Sequence, residues 1–156
     1  MGVEEFAMGK HRVNLPPMVL VVDDEALDRE MMRRALEFSN RYRVMTAADY
    51  DEALGLFLRN GDGIDLALLD VTLPGKNGVE LAKELLQRNS DLPVLFTSGH
   101  VGASVIRFYG LAASERHFLQ KPFDAATLLS RVEQTLTSPE RLVLVLSAAS
   151  KAPDQT

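Results

Sequence analysis

A chain of 156 residues with 17 basic and 22 acidic side chains is the size of one domain, and its net charge of -5 argues against nonspecific nucleic-acid binding, which needs a basic face. Cysteine is absent, so a disulfide framework and a thiolate metal site are both excluded. The apolar runs fall well short of the roughly 20 residues that span a bilayer, and no secretory apolar segment opens the chain, so the expectation is a cytoplasmic protein without membrane contact.

Residues 1–17 are largely polar, end in Pro16-Pro17 and read as a flexible lead. "MVLVV" (Met18 to Val22) is a short apolar run rich in β-branched residues, the pattern of a strand buried on both faces. Leu27, Met31, Met32, Ala35 and Leu36 then recur at helical spacing. "YRVMTA" (Tyr42 to Ala47) predicts a second strand, and Asp49 with Glu52 is a capping-box pattern for a helix running to about Leu58. A turn at Gly61 to Gly63 leads into "LALL" (Leu66 to Leu69), a third strand. Asn77 is placed to cap a helix carrying Val79, Ala82, Leu85 and Leu86 on one face. "PVLFT" (Pro93 to Thr97) predicts a fourth strand, followed by a helix over about Val101 to Tyr109 that Gly99, Gly102 and Ser104 weaken. "RHFL" (Arg116 to Leu119) is the fifth strand, and Asp124 caps a last helix bearing Ala125, Leu128, Val132 and Leu136.

Five strand–helix units in succession predict an α/β fold, a doubly wound parallel sheet with helices on both faces. A β/α barrel needs eight units, and a dinucleotide-binding fold needs a glycine-rich turn where this chain reads "VVDDEA". Ligands of open parallel sheets bind beyond the carboxyl ends of the strands. Asp23 and Asp24 follow the first strand, Asp70 the third, Thr97 and Ser98 end the fourth, and Lys121-Pro122 follow the fifth. Taken singly, each has an ordinary structural role: helix capping for Asp23 and Asp24, a turn for Asp70, a β-branched strand position for Thr97 and a solvated loop for Lys121. Together they place three carboxylates, a hydroxyl and an ammonium on one edge. Crowded carboxylates raise one another's pKa unless a cation joins them, and an oxygen-only set suits Mg²⁺. A carboxylate there can also act as a nucleophile toward a phosphoryl group, with the ion, Lys121 and the Thr97 hydroxyl neutralising its oxygens.

The segments "VLVVDDE", "LLDVTLPGKNG", "LFTSG" and "FLQKPF" occur in that order, and as a set the chain resembles the receiver domain of two-component response regulators over about Pro17 to Leu136. The resemblance implies a flavodoxin-like (βα)5 fold with strand order 2-1-3-4-5, a receiver spanning 18–137 and a phosphorelay role. It implies Asp70 as the phosphoacceptor, Asp23 and Asp24 as the acidic pair holding Mg²⁺ together with Asp70, and the backbone carbonyl of Thr72 as a further ligand. Thr97 becomes the switch hydroxyl, Lys121 the lysine that meets the phosphoryl group, and Phe118 the aromatic switch position, for which simple packing is an equal reading. A cis Lys121-Pro122 bond belongs to the same pattern. The partner implied is a histidine kinase or histidine phosphotransfer protein, and the surface that switches is formed by the fourth helix, fifth strand and fifth helix.

A protein of this kind catalyses only its own phosphorylation and dephosphorylation and is not an enzyme acting on a substrate. An aspartyl-phosphate phosphatase wants a second aspartate two residues after the nucleophile, where this chain has Thr72. A flavin module would set its phosphate against the two carboxylates after the first strand. His11, His100 and His117 show no metal-ligand spacing and read as surface or loop residues, with His100 near enough to Thr97 to influence access. About twenty residues follow Leu136, too few for a helix-turn-helix, so a single-domain regulator is favoured over a receiver excised from a hybrid kinase or a multidomain regulator. In the 138–156 tail, "SPERLVLVLSAAS" favours an extra helix over a strand. Its apolar content needs cover, from the domain, a partner or a second copy in a homodimer.

Overall fold

The computed structural model describes residues 15–99, 111–138 and 140–144. At its centre β1 (Met18–Val22) lies between β2 (Arg43–Ala47) and β3 (Leu66–Asp70), both parallel to it. β4 (Val94–Ser98) pairs with β3, and a fifth parallel strand, β6 (Phe118–Gln120), closes the far edge. Counting only the strands of this sheet, the order is 2-1-3-4-5, as expected. β1, β3 and β4 are buried along their whole length, which is why they read as continuous apolar runs rather than as alternations. β2, on the open edge, is mostly half-buried.

Four α-helices lie among the described residues: α1 (Ala26–Phe38), α2 (Tyr50–Asn60), α3 (Gly78–Arg88) and α4 (Ala125–Thr137). Side-chain alternation along β1 divides the core in two. Leu20 and Val22 join the layer that holds Ala53 and Phe57 of α2 and Leu81, Leu85 and Leu86 of α3. Val19 and Val21 join the layer that holds Met32 and Leu36 of α1 and Leu128 and Val132 of α4. The sheet is therefore doubly wound. The helix expected over 101–109 lies outside the described residues.

The helix starts follow their local chemistry. Asn77 accepts from the Val79 and Glu80 amides while the Glu80 carboxylate accepts from the Asn77 amide, a complete capping box. Asp124 accepts from the Thr127 amide and Asp49 from the Glu52 amide. Glu52 returns its bond to Ala48 rather than to the capping residue. α1 differs: its N-cap is Glu25, which makes no side-chain cap bond, so the aspartates before it are left for other work.

Three expectations shift. The fifth strand of the sheet is Phe118–Gln120, because Ser114 caps a short 3₁₀ turn over Glu115–His117 that takes up the residues expected to begin it. His117 is consequently buried rather than a surface residue: its Nδ1 accepts from the Ser114 amide, and burial lowers its pKa. The tail does not form the favoured helix over its described part. Residues Val143–Leu144 form β7, antiparallel to β5 (Leu111–Ala112). Leu142 is fully buried in the α2/α3 core layer, Arg141 Nε donates to the Asp91 carbonyl at 3.1 Å, and Arg116 pairs with Glu140 at 3.2 Å. Over the described part, burial of Leu142 and pairing of Val143–Leu144 with β5 win over a helix, while Val143 stays 54% exposed.

Leu142→Ala is expected to lower the free energy of unfolding by about 2–4 kcal/mol, read as a fall in the urea midpoint with an unchanged slope. A midpoint within error of the parent's would show that the tail packs loosely.

Candidate functional site

The carboxyl ends of β1, β3 and β4 are brought level by the ladder itself. Val22 stands opposite Leu69, and Asp70 stands opposite Thr97. Asp70 is thus the last residue of β3, still inside the ladder, and its side chain is 8% exposed. Its Oδ1 accepts from the Thr72 amide at 2.9 Å, which turns the chain sharply out of the strand. Gly75 completes the loop with φ +72, a conformation costly for residues with a Cβ. Gly78 then returns the chain onto the site: its amide donates to the Val71 carbonyl at 2.9 Å, and a Cβ on it would lie 1.9 Å from the Asp70 carbonyl oxygen. Any side chain at 78 must displace the Asp70 main chain, a physical reason for the glycine that ends "LLDVTLPGKNG".

Asp23 lies one residue beyond β1 and its side chain is fully buried. Its amide donates to the Ala47 carbonyl, its carbonyl accepts from Arg29 Nη1 at 2.8 Å, and its Oδ1 accepts from the Glu25 amide at 2.9 Å. Asp24 is exposed beside it. One oxygen from each of Asp23, Asp24 and Asp70 lies within 4.8 Å of the others. The set is all oxygen, open to water through Asp24, and fits a hard cation such as Mg²⁺ that keeps part of its water shell.

One ammonium of the described residues stands among these acids. Lys121 Nζ donates to Asp23 Oδ2 at 3.0 Å, to Asp70 Oδ2 at 3.0 Å and to Asp28 Oδ2 at 3.1 Å. Its backbone amide donates to the Ser98 carbonyl at 2.8 Å, and the Lys121-Pro122 peptide is cis, the isomer expected. Burial works against its charge, but the bonds to Asp70, Asp23 and Asp28 outweigh burial and hold its pKa above the ordinary lysine value. Asp28, in the first turn of α1, was not singled out in the sequence. Its only signal is a polar residue one position after Leu27 on a helix that starts at the site.

Thr97 is fully buried, and its Oγ1 has no hydrogen-bond partner among the described residues. Buried hydroxyls are normally paired, and this one is an exception at the carboxyl edge of the sheet. Phe118 is half-buried and stacks on Phe96, with ring centroids 5.6 Å apart and planes 29° from parallel. Packing therefore accounts for Phe118 in this conformation. Thr72 is exposed and engages Asp70 through its amide. His100 and His11 lie outside the described residues.

The family model described as "Response regulator receiver domain" matches residues 19–133. The chain belongs to the response regulator receiver family. Response regulator MprA of Mycobacterium sp. (strain KMS) is 39% identical over 128 residues, covering 81% of this chain and 54% of that protein. The chain thus spans about half the length of the curated relatives it matches. Among solved structures, the non-phosphorylated HemR receiver domain from Leptospira biflexa is 34% identical with a TM-score of 0.65, over 80% of this chain and 97% of that one. CheY from Borrelia burgdorferi, solved in a CheX-CheY-BeF3-Mg+2 complex, is 25% identical with a TM-score of 0.67, over 77% of this chain and 89% of that one. This receiver is thus a component of two-component signalling, and among its described residues no helix is long and apolar enough to cross a membrane.

Asp23 supplies a pH signature. Burial, and then the like charge of Asp70, hold its carboxyl above the ordinary 3.8, against the opposing bonds from the Glu25 amide and Lys121. With the folded pKa above the unfolded one, protonated Asp23 stabilises the fold below the unfolded value, and that contribution is gone once the pH has risen through the folded pKa. Ionised Asp23 is therefore a burden on the metal-free fold. Asp23→Asn is expected to melt at a higher temperature than the parent near neutral pH in a chelator. The gap should close as the pH falls through the raised Asp23 pKa, and Mg²⁺ should raise the parent's midpoint more than the variant's. A gap independent of pH would refute the burial argument.

Proposed function

We propose that this receiver accepts a phosphoryl group on Asp70 from a phosphohistidine of a histidine kinase or phosphotransfer protein, with Mg²⁺, and passes the change to a protein partner. The observation that carries the reading is the contact of Lys121 Nζ with Asp70 Oδ2 inside a cluster of carboxylates able to hold a cation. A bound Mg²⁺ would supply positive charge against the phosphoryl oxygens, and Asp23, Asp24 and Asp70, with the Thr72 carbonyl, are the groups to hold it. A carboxylate oxygen of Asp70 attacks phosphorus, the P–N bond breaks, and the imidazole leaves as a proton is returned to it. Lys121 moves its donor from the Asp70 carboxylate to a phosphoryl oxygen. The buried Thr97 hydroxyl takes another, which ends its lack of a partner. The chain performs no other chemistry.

The modification adds about -1.5 to -2 of charge. Once Thr97 turns toward that charge, the space it vacates lies one residue from Phe96 along β4, and Phe118 is the ring stacked there. We read signalling as a shift between two packings of the surface that β6 and α4 form. Support for Mg²⁺ also comes from the Borrelia burgdorferi neighbour, whose described complex contains BeF3 and Mg²⁺.

A phosphohistidine must reach the edge at which Asp70 sits. The exposed apolar surface beside that edge is on α1, where Leu27 is 83% and Met31 45% exposed. Met31 also lines a cleft with Asp28, Lys121, Pro122 and Phe123. Leu27 stands on the apolar spacing expected to face the core, so its exposure calls for a partner, and the donor protein is the one that must come there.

Asp70→Asn is expected to abolish labelling by acetyl phosphate or a phosphorylated donor domain, scored by intact mass; labelling at the parent's yield would sink the assignment. Leu27→Asp with Met31→Asp should slow transfer from the donor domain at least tenfold and leave acetyl phosphate labelling within twofold of the parent, about 1.4 kcal/mol being a factor of ten. Equal loss with both donors would remove α1 from the docking surface.

A further inference from the structure

Three carboxylates hold Lys121, but only two of them belong to the cation cluster. An ammonium has three N–H donors, and here all three are spent, on Asp23, Asp70 and Asp28. Asp23 and Asp70 are also among the acids whose oxygens lie within 4.8 Å of one another, while Asp28 is not part of that set. When a cation enters, the lone pairs of Asp23 and Asp70 turn toward it, and Asp70 changes again on modification. Asp28 is the one partner of Lys121 that neither event recruits. It sits on the first turn of α1 with its side chain 39% exposed, against 0% for Asp23 and 8% for Asp70.

We propose that Asp28 is a positioning residue that tethers the Lys121 ammonium over Asp70 while the other two carboxylates change partners. Lys121 has four methylene groups to immobilise, and the entropy of holding such a chain in one place is considerable. A partner that persists through the reaction keeps the charge where phosphorus arrives. The competing explanation is that Asp28 is simply an acid placed at a helix N-terminus, where the backbone dipole favours it. Charge at the helix start is also carried by Glu25, the exposed N-cap residue, which makes no contact with Lys121. Glu25→Gln therefore removes the same charge without removing the tether.

The inference rests on the phosphoacceptor reading, and the test separates the two. In the unmodified protein, ¹H–¹⁵N spectra of the lysine ammonium groups are expected to show Lys121 Nζ protons protected from exchange in the parent and in Glu25→Gln, and lost in Asp28→Asn. With acetyl phosphate as donor, the phosphoryl group passes to Asp70 and acetate leaves. Asp28→Asn should lower the maximal labelling rate about threefold to tenfold with the half-saturating donor concentration unchanged, Glu25→Gln should stay within twofold of the parent, and Asp28→Glu should recover part of the loss. If Asp28→Asn keeps the protected Lys121 protons, or labels no slower than Glu25→Gln, the tether is refuted. If the parent itself takes no label while Asp28→Asn loses the protected protons, the phosphoacceptor reading fails and the tether stands as a contact only.

Discussion

One ammonium among four carboxylates is the constraint on which this site depends. Lys121 reaches Asp23, Asp28 and Asp70 at about 3 Å each, and Asp24 stands exposed beside them. The carboxylates outnumber the ammonium that reaches them, and the cost is legible in Asp23, whose burial and whose neighbour Asp70 raise its pKa. The edge is therefore built to attract cationic charge. Every element that meets there, from the β3–β4 register to the Asp70–Thr72 turn, keeps the imbalance in place.

The fold carries the cost of that edge elsewhere. Buried strands β1, β3 and β4 supply apolar contact on both faces, and helices on each side close the two core layers. The apolar contacts of the sheet thus offset the charge crowded at its carboxyl edge, the usual division between scaffold and site. Gly78 belongs to the same arrangement, since the close approach of α3 to the Asp70 main chain leaves no room for a Cβ. The C-terminal segment adds a local device of its own. Leu142 is buried in the core, and β7 joins β5 in a separate two-stranded ladder, so the domain's packing extends past α4.

Several readings of the chain followed directly from local chemistry. Asn77, Asp49 and Asp124 cap helices because their short oxygens reach free amides within a few residues. The apolar runs at Met18, Leu66 and Val94 are strands because nothing but a two-sided core accepts them. Other readings turned on distant neighbours. His117 looked like a surface residue, yet the Ser114 turn folds it inward. Leu27 looked like a core residue by spacing, yet it points outward. "LVLVL" looked more helical than extended, yet its Val143–Leu144 pair with a segment some thirty residues earlier.

By itself the sequence determined the parallel doubly wound class, the order of its elements and the residue types at the ends of its strands. These depend on periodicity and on what stands at each turn, both local properties of a chain. Only the tertiary structure decided which of those residues meet. Asp28 and Lys121 are separated by 93 positions, and their contact comes from β1 and β6 delivering their ends to the same edge. The unpartnered hydroxyl of Thr97 and the missing Cβ of Gly78 are facts of the same sort. Whether a hydroxyl is satisfied or a methyl fits is set by atoms brought from elsewhere in the chain, and no local pattern encodes their arrival.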